Sequence, residues 1–468
     1  MLSNHLPTDY QNFIALSRYA RWKEDDQRRE TWGETVTRYF DYMTTHLKKN
    51  HSYKLDTKLR NELEEAVLNQ DIMPSMRALM TSGPALDRCH VGAFNCSYLA
   101  VDTPRAFDET MYILMCGTGV GFSVERHSIE KLPIVNEAMH NTDTVIKVGD
   151  SRPGWAGSLR ELISLLYAGQ IPKWDVSAVR PAGERLKTFG GRASGPAPLE
   201  ELFQFVIQKF KGAAGRRLYP IECHDIMCKI GEVVVVGGVR RSALISLSNL
   251  NDDQMAHAKS GMWWENEGQR ALANNSVAYK TKPEMGTFMR EWVSLYESKS
   301  GERGIFNRES AKKQAAKNGR RDVEHDFGCN PCSEIILRPY QFCNLSEVVA
   351  RAGDTEHSLA TKVGLATILG TFQSTLTDFK YLRKVWQKNT EEERLLGVSL
   401  TGIMDNALLS GNSATLGMNI GATLSLLRDE AVKTNEVLAK KLGIPQSTAI
   451  TCVKPSGTVS QLVDSASG

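Results

Sequence analysis

Short apolar runs that alternate with amphipathic helical stretches restrict the fold of this 468-residue chain more than any other feature. "SLRELISLLYAGQ" (158–170) and "PLEELFQFVIQKFKGAA" (198–214) repeat apolar residues at three- and four-residue steps and predict helices. "EVVVVGGVRRSALISLS" (232–248) predicts a buried strand, a glycine-rich turn and a second strand. Strands separated by helices call for an α/β fold with a largely parallel sheet, open or barrel. The N-terminal part reads differently. Residues 9–50 predict helix, with Trp32, Val36, Tyr39, Phe40, Met43 and Leu47 on one face, and 56–69 continue the pattern. "MPSMRALMTSGPAL" (73–86) breaks it with Pro74, Gly83 and Pro84. This predicts a helical region at 1–88 and an α/β region at 89–468.

An apolar content of 41% allows a large core, and a net charge of +3 gives no reason to expect nucleic acid or an anionic membrane as partner. No apolar run reaches the roughly 20 residues that span a bilayer. "MLSNHLPTDYQNF" lacks the basic and then apolar segments of a secretory leader. Nine cysteines in such a chain predict thiols with chemical tasks in a cytoplasmic protein. The basic "KKQAAKNGRRD" (312–322) predicts a solvated helix face.

Chemistry concentrates in "DFGCNPCSEIILRPYQFCNLSEVV" (326–349), which holds Cys329, Cys332 and Cys343. A structural zinc site needs four ligands, and no second C-x-x-C or histidine pair stands at metal spacing. In an extended loop Asn330, Cys332 and Glu334 would project to one side, bringing an amide, a thiol and a carboxylate to one substrate. A turn around a buried cysteine accounts for the same letters. "CGTGVGF" (116–122) fits neither G-x-G-x-x-G nor a P-loop and predicts a tight turn. "KPSGT" (454–458) can offer backbone N–H groups and two hydroxyls to a phosphate, although so short a string also arises by chance.

"NPCSE", followed by Cys343, resembles the active-site loop of ribonucleotide reductase large subunits. "FNCSYLAVDTPRAFDETMYILMCGTGVGFSVERH" (94–127), "VRPAGERLKTFGGRASGPAPL" (179–199), "GGVRRSALI" (237–245), "GERGIFN" (301–307) and "KPSGT" are similar, in the same order, to segments of that family. The likeness is greatest to its adenosylcobalamin-dependent class II branch and phage relatives, which "SRYARWKEDDQRRETWGETVTRYFDY" (17–42) also fits. The resemblance implies the ten-stranded α/β barrel of the ribonucleotide reductase and glycyl-radical type, with a finger loop inside it. It implies thiyl-radical reduction of ribonucleotides to 2′-deoxyribonucleotides for DNA synthesis. By the same resemblance Cys332 carries the radical, Glu334 takes the 3′-hydroxyl proton and Asn330 orients the sugar. Cys96 and Cys343 form the dithiol oxidised in each turnover, and Cys329 is a bystander. Pro455, Ser456, Gly457 and Thr458 cradle the substrate phosphates. Asp102 grips a deoxynucleoside triphosphate effector, whose identity the 179–191 loop relays. No metal site within the chain is implied.

The implied radical source is either adenosylcobalamin, on motif style, or the metal centre of a separate ferritin-like subunit, on compactness, with equal weight. A thioredoxin-type reductant follows, and so does either a homodimer or a radical-generating small subunit. The span from Cys96 to Cys332 looks tight for the large insertion of monomeric cobalamin enzymes, which counts against a monomer, and the N-terminus leaves no room for an ATP cone. The chain stops ten residues after Thr458, ahead of the further strands and cysteine tail expected of the family. Diphosphate and triphosphate substrates both remain open. Two other classes compete. One is an inactive nucleotide-binding regulator, disfavoured by the intact cysteine set. The other is a glycyl-radical relative, whose C-terminal loop "SASG" does not resemble.

Overall fold

Cys96–Ala100, Gly119–Ser123 and Leu244–Ser248 are strands buried along their whole length, as strands covered on both faces must be. The computed structural model describes residues 6–184, 192–236, 243–411 and 419–467. It divides into two units: Met1–Asn95 with Asn318–Arg321 and Phe342–Gly468, and Cys96–Lys317 with Asp322–Gln341.

In the second of these units five parallel strands lie side by side in the order in which the chain makes them. They are Cys96–Ala100, Gly119–Ser123, Leu244–Ser248, Ala273–Tyr279 and Gly304–Asn307. A short sixth strand, Gln341–Phe342, begins where the unit ends and lies beside the Cys96 strand. Helix Arg105–Met115 makes the first crossover, and helix Pro220–Val236 precedes the Leu244 strand. Apart from this sheet, His140–Lys147 pairs in parallel with Gln170–Asp175 across the helix Arg152–Tyr167. Helix Ala197–Gly212 closes over that pair through Trp174 against Phe203 and Tyr167 against Phe210.

The helices predicted at 158–170 and 198–214 are therefore present. "EVVVV" is not a strand: it is the last turn and a half of helix Pro220–Val236. That helix buries Ile226, Met227, Ile230, Val233 and Val234 on several faces, and a helix buried nearly all round has the same short apolar run as a buried strand. The glycine-rich 237–242 that followed lies outside the described residues, as does 185–191 of the expected relay loop.

In the other unit the expected 9–50 helix is two, Asp9–Arg18 and Trp32–His51, separated by the antiparallel pair Trp22–Lys23 and Arg28–Arg29. The second helix starts at Thr31, whose hydroxyl caps the Glu34 N–H while Glu34 caps Thr31 in return. Thr57–Leu68 is helical as predicted. The broken stretch after it gives strand Ile72–Pro74 and helices Met76–Thr81 and Pro84–Arg88. Ile72–Pro74 pairs antiparallel with Ser346–Val349, which pairs in parallel with Val398–Thr401. Helices Glu356–Gln373 and Ile420–Leu442 pack on one another through Asn435, whose amide donates to Thr371 and Ser447.

A closed ten-stranded barrel is not found. Among the described residues the larger sheets have six and three strands, each ending in edge strands such as Gly304–Asn307 and Ile72–Pro74. Closure would leave no edge. No helix is long and apolar enough to cross a membrane among the described residues.

Candidate active site

Gly328–Cys329 pairs antiparallel with Ile336–Leu337, so the "NPCSE" residues form the tip of a β-hairpin. The tip is a tight turn, not the extended loop that alternation suggested. Asn330 O accepts from Ser333 N at 2.9 Å, and Ser333 takes a left-handed φ of 70°. This turn brings Asn330 and Glu334 together: Asn330 Nδ2 donates to Glu334 Oε1 at 2.9 Å. Asn330 Oδ1 accepts from Ile335 N at 3.0 Å, so its amide fixes both the carboxylate and the loop. Asn330 is fully buried, Glu334 half-buried, and Cys332 exposed at the tip. Cys329 is buried in the hairpin, and that burial pushes its thiol up to about 12. Such a thiol gives little thiolate at neutral pH.

The hairpin lies on the sheet because the sheet has no side chains there. A Cβ at Gly121 would overlap the Cys329 carbonyl oxygen, and one at Gly119 would lie 3.0 Å from Pro331 Cγ. Gly328 has the Tyr98 ring against it on the same terms. The glycines of "CGTGVGF" thus split their tasks. Gly117 makes the predicted tight turn with a φ of 83°, while Gly119 and Gly121 form the floor under the hairpin. Strand register pairs Cys96 with Gly119 and Tyr98 with Gly121. Cys96 is therefore on the sheet face that carries the hairpin, next to the glycine that meets Pro331.

An ion pair that the sequence did not reveal anchors the hairpin root. The buried Arg308 guanidinium grips the buried Glu125 carboxylate with two bonds of 2.9 and 2.6 Å, and its Nε donates to Phe327 O at 2.7 Å. Ser123 Oγ also donates to Glu125, and Asp326 Oδ1 lies 3.2 Å from Arg308 Nε. His127 bonds Asp326 from the outer side. Desolvation tends to lower the Arg308 pKa, but Glu125 and the other anions raise it above its ordinary value. Asp102, at the end of the Cys96 strand, accepts a hydrogen bond from the Tyr340 hydroxyl, which also reaches Ala100 O at 3.2 Å.

Cys343 and residues 455–458 belong to the other unit. Cys343 is buried. It follows Phe342, whose ring packs among Phe94, Phe379 and Trp386, and precedes Asn344, whose amide donates to Gly370 O at 2.8 Å. In the "PSGT" loop Pro455 and Gly457 are exposed and Thr458 is half-buried at the start of helix Thr458–Val463. Ser456 is buried, and its hydroxyl donates inward to Glu347 Oε2 at 2.9 Å. The Ser456 hydroxyl is thus turned inward to a carboxyl and is not free to donate to a phosphate. Among the described residues no group of three His, Cys, Asp or Glu side chains is placed to hold a metal ion.

Adenosylcobalamin-dependent ribonucleoside-triphosphate reductase from Lacticaseibacillus paracasei is 28% identical over 96% of this chain and 71% of its own length. The enzyme of that name from Lactobacillus leichmannii is 28% identical over the same shares. The family model of the ribonucleotide reductase alpha domain matches residues 3–84, and that of the B12-dependent ribonucleotide reductase insertion domain matches residues 123–209. Over nearly its whole length the chain is thus similar to ribonucleotide reductase large subunits. The crystal structure of a B12-dependent class II ribonucleotide reductase superposes with a TM-score of 0.82 at 24% identity, over 97% of this chain and 74% of that one. The class Id alpha subunit from Actinobacillus ureae reaches 0.59 at 13% identity, over 98% and 75%. Both likenesses concern the reductase fold.

The insertion-domain match overturns the expectation that the span from Cys96 to Cys332 is tight for the insertion. Residues 123–209 contain the His140–Lys147 and Gln170–Asp175 pair with helix Arg152–Tyr167, a small separate sheet that short loops allow within few residues. The equal weighting of cobalamin and a ferritin-like subunit is not supported either, since the curated relatives are adenosylcobalamin-dependent. The glycine floor gives a direct test. Gly121→Ala is expected to destabilise the protein by about 1–3 kcal/mol through forced displacement of the hairpin backbone. Gly353→Ala, where an added Cβ meets nothing within 4 Å, should stay within about 0.5 kcal/mol. Urea unfolding of both variants measures the difference.

Proposed function

We propose that this chain reduces ribonucleoside triphosphates to 2′-deoxyribonucleoside triphosphates by thiyl-radical chemistry. The observation that carries the proposal is the hairpin tip, which joins Asn330 to Glu334 beside an exposed Cys332, on the sheet face that bears Cys96. Curated relatives that match 96% of this chain, over 71% of their own length, bear that activity in their names. An exposed thiol at a hairpin tip fits a radical source reaching it from outside the chain, and adenosylcobalamin, when bound, supplies the radical that removes the thiol hydrogen. On this reading no radical-generating small subunit is required.

The Cys332 sulfur then takes the 3′-hydrogen of the ribose, and Glu334 accepts the 3′-hydroxyl proton, general-base work that needs the carboxylate held in place. Asn330 supplies that hold through its 2.9 Å bond. The 2′-hydroxyl leaves as water. Cys96 and Cys343 provide the two electrons and become a disulfide, Cys332 returns the 3′-hydrogen, and a thioredoxin-type dithiol restores the pair by exchange. Asp102, with Tyr340, is the proposed contact for a deoxynucleoside triphosphate effector, and residues 455–458 the seat of the substrate phosphates. The helical region 1–88 and the catalytic region 89–468 complete this reading. A chain that works with reduced thiols suits the cytoplasm.

Cys332→Ser should abolish deoxynucleotide formation with CTP affinity held within about threefold, because the O–H bond is too strong to carry the radical; substantial turnover in this variant overturns the assignment. Gly457 has open space around it and a negative φ, so Gly457→Asp should fold normally. It should weaken CTP binding by about tenfold or more through repulsion of the phosphates, the effect expected of one close like charge. Single turnover of reduced enzyme without external reductant should give a Cys96–Cys343 disulfide in peptide maps, whose Cα atoms then lie within about 4.4–6.8 Å. Oxidation of Cys329 with Cys332 instead contradicts the reading.

A further inference from the structure

Glu347 is a buried carboxyl that the reductive chemistry does not use. It stands on strand Ser346–Val349, four residues past Cys343, and is one hydrogen bond away from the loop assigned to the substrate phosphates. Ser456 Oγ donates to it at 2.9 Å and itself accepts from Ser460 N at 3.1 Å. The Ser456 hydroxyl is thus committed within the protein, and the position of the loop depends on the carboxyl that receives it. The sheet neighbours of Glu347 across each adjoining strand, Met73 and Ser399, carry no charge. Lys454 is the cation that acts on it. Lys362 pairs with both Asp71 and Asp354 and donates to Val349 O at that end of the strand.

A carboxylate in this place would add a buried negative charge against an arriving polyphosphate, whereas the neutral acid still accepts the Ser456 hydrogen bond and adds no repulsion. We propose that Glu347 is a positioning residue for the phosphate loop that holds a proton while the substrate polyphosphate is bound, so that nucleotide affinity falls as pH rises. Burial pushes the Glu347 carboxyl up to about 7, against the Ser456 hydrogen bond and Lys454, which lower it. Below that pH the acid is already neutral and binding costs no proton. Above it, binding must take one up, and affinity drops with each rise in pH. This inference rests on the reading of residues 455–458 as the phosphate loop.

The test is CTP binding to the full chain by calorimetry between about pH 6 and pH 8.5, for wild type, Glu347→Gln, Ser456→Ala and Gly457→Asp. Ionisation of the terminal phosphate of CTP is common to all four, so the comparison isolates the Glu347 contribution. Wild-type affinity should weaken over this range by about threefold to tenfold more than that of Glu347→Gln. Ser456→Ala removes a bond that lowers the carboxyl pKa, so its loss of affinity should begin at higher pH. In infrared difference spectra the protonated-carboxyl band absent from Glu347→Gln should titrate at higher pH once CTP is added, a response that a merely structural side chain would not give. Weaker binding in Gly457→Asp combined with identical pH profiles in wild type and Glu347→Gln overturns the role of Glu347 and leaves the loop intact. CTP affinity indifferent to Gly457→Asp removes the phosphate loop, and this inference with it. If Glu347→Gln does not fold, an unshifted profile in Ser456→Ala overturns the proposal by itself.

Discussion

Backbone-to-backbone contact between the hairpin and the sheet is the constraint on which the candidate site depends. The Cys329 carbonyl occupies the space that a side chain at Gly121 would fill, and Pro331 does the same at Gly119. Close approach of this kind has no slack, so the position of the tip is set by strand geometry and not by flexible side chains. The Arg308 and Glu125 pair holds the hairpin root from the other side. A buried pair of this kind contributes little net stability for its desolvation cost, but removing one partner leaves a buried charge behind. Its value here is in fixing where Phe327 leads the chain into the hairpin.

Within the tip, position is passed along a short series of polar contacts. The left-handed Ser333 closes the turn, the turn brings Asn330 to Glu334, and Asn330 also secures Ile335. Asn330 is fully buried and Cys332 exposed, so the supporting amide is withdrawn from solvent while the thiol is offered to it. On the proposed reading, Glu334 as a general base gains from a fixed orientation, and the Cys332 thiol gains from exposure to an outside radical source. One four-residue turn meets both requirements.

Much of this was legible in the sequence, and the failures have physical causes. Amphipathic periodicity located the helices around residues 158–170 and 198–214, because one apolar stripe on a polar helix is a clear signal. It failed at Glu232–Val236, where the exposed Val235 and Val236 are as apolar as the buried Val233 and Val234, so no polar face marks the stripe. The alternating Asn330, Cys332 and Glu334 were singled out as one cluster, and Asn330 does bond Glu334. The tight turn that joins them was not legible, because the left-handed Ser333 has no glycine or asparagine to announce it. Gly119 and Gly121 were read as turn residues. Two glycines spaced by one position in an otherwise apolar strand were the available sign of close backbone approach. Nothing local marks Arg308 as the partner of Glu125, since the two are distant in sequence and each has the look of an ordinary surface charge.

The hairpin's dependence on the glycine floor also governs how the molecule can be assembled. The floor, Gly119–Ser123, is synthesised early, and the residues that cover it, 326–337, emerge only after the remaining parallel strands of that sheet. A nascent chain therefore carries a sheet face with glycine-lined backbone and no cover until most of the protein has left the ribosome. Contacts of such long sequence separation form slowly, and uncovered strand surface is prone to aggregate in the interval. Completion of this sheet is in this respect limited by its covering hairpin, the segment that brings the thiol.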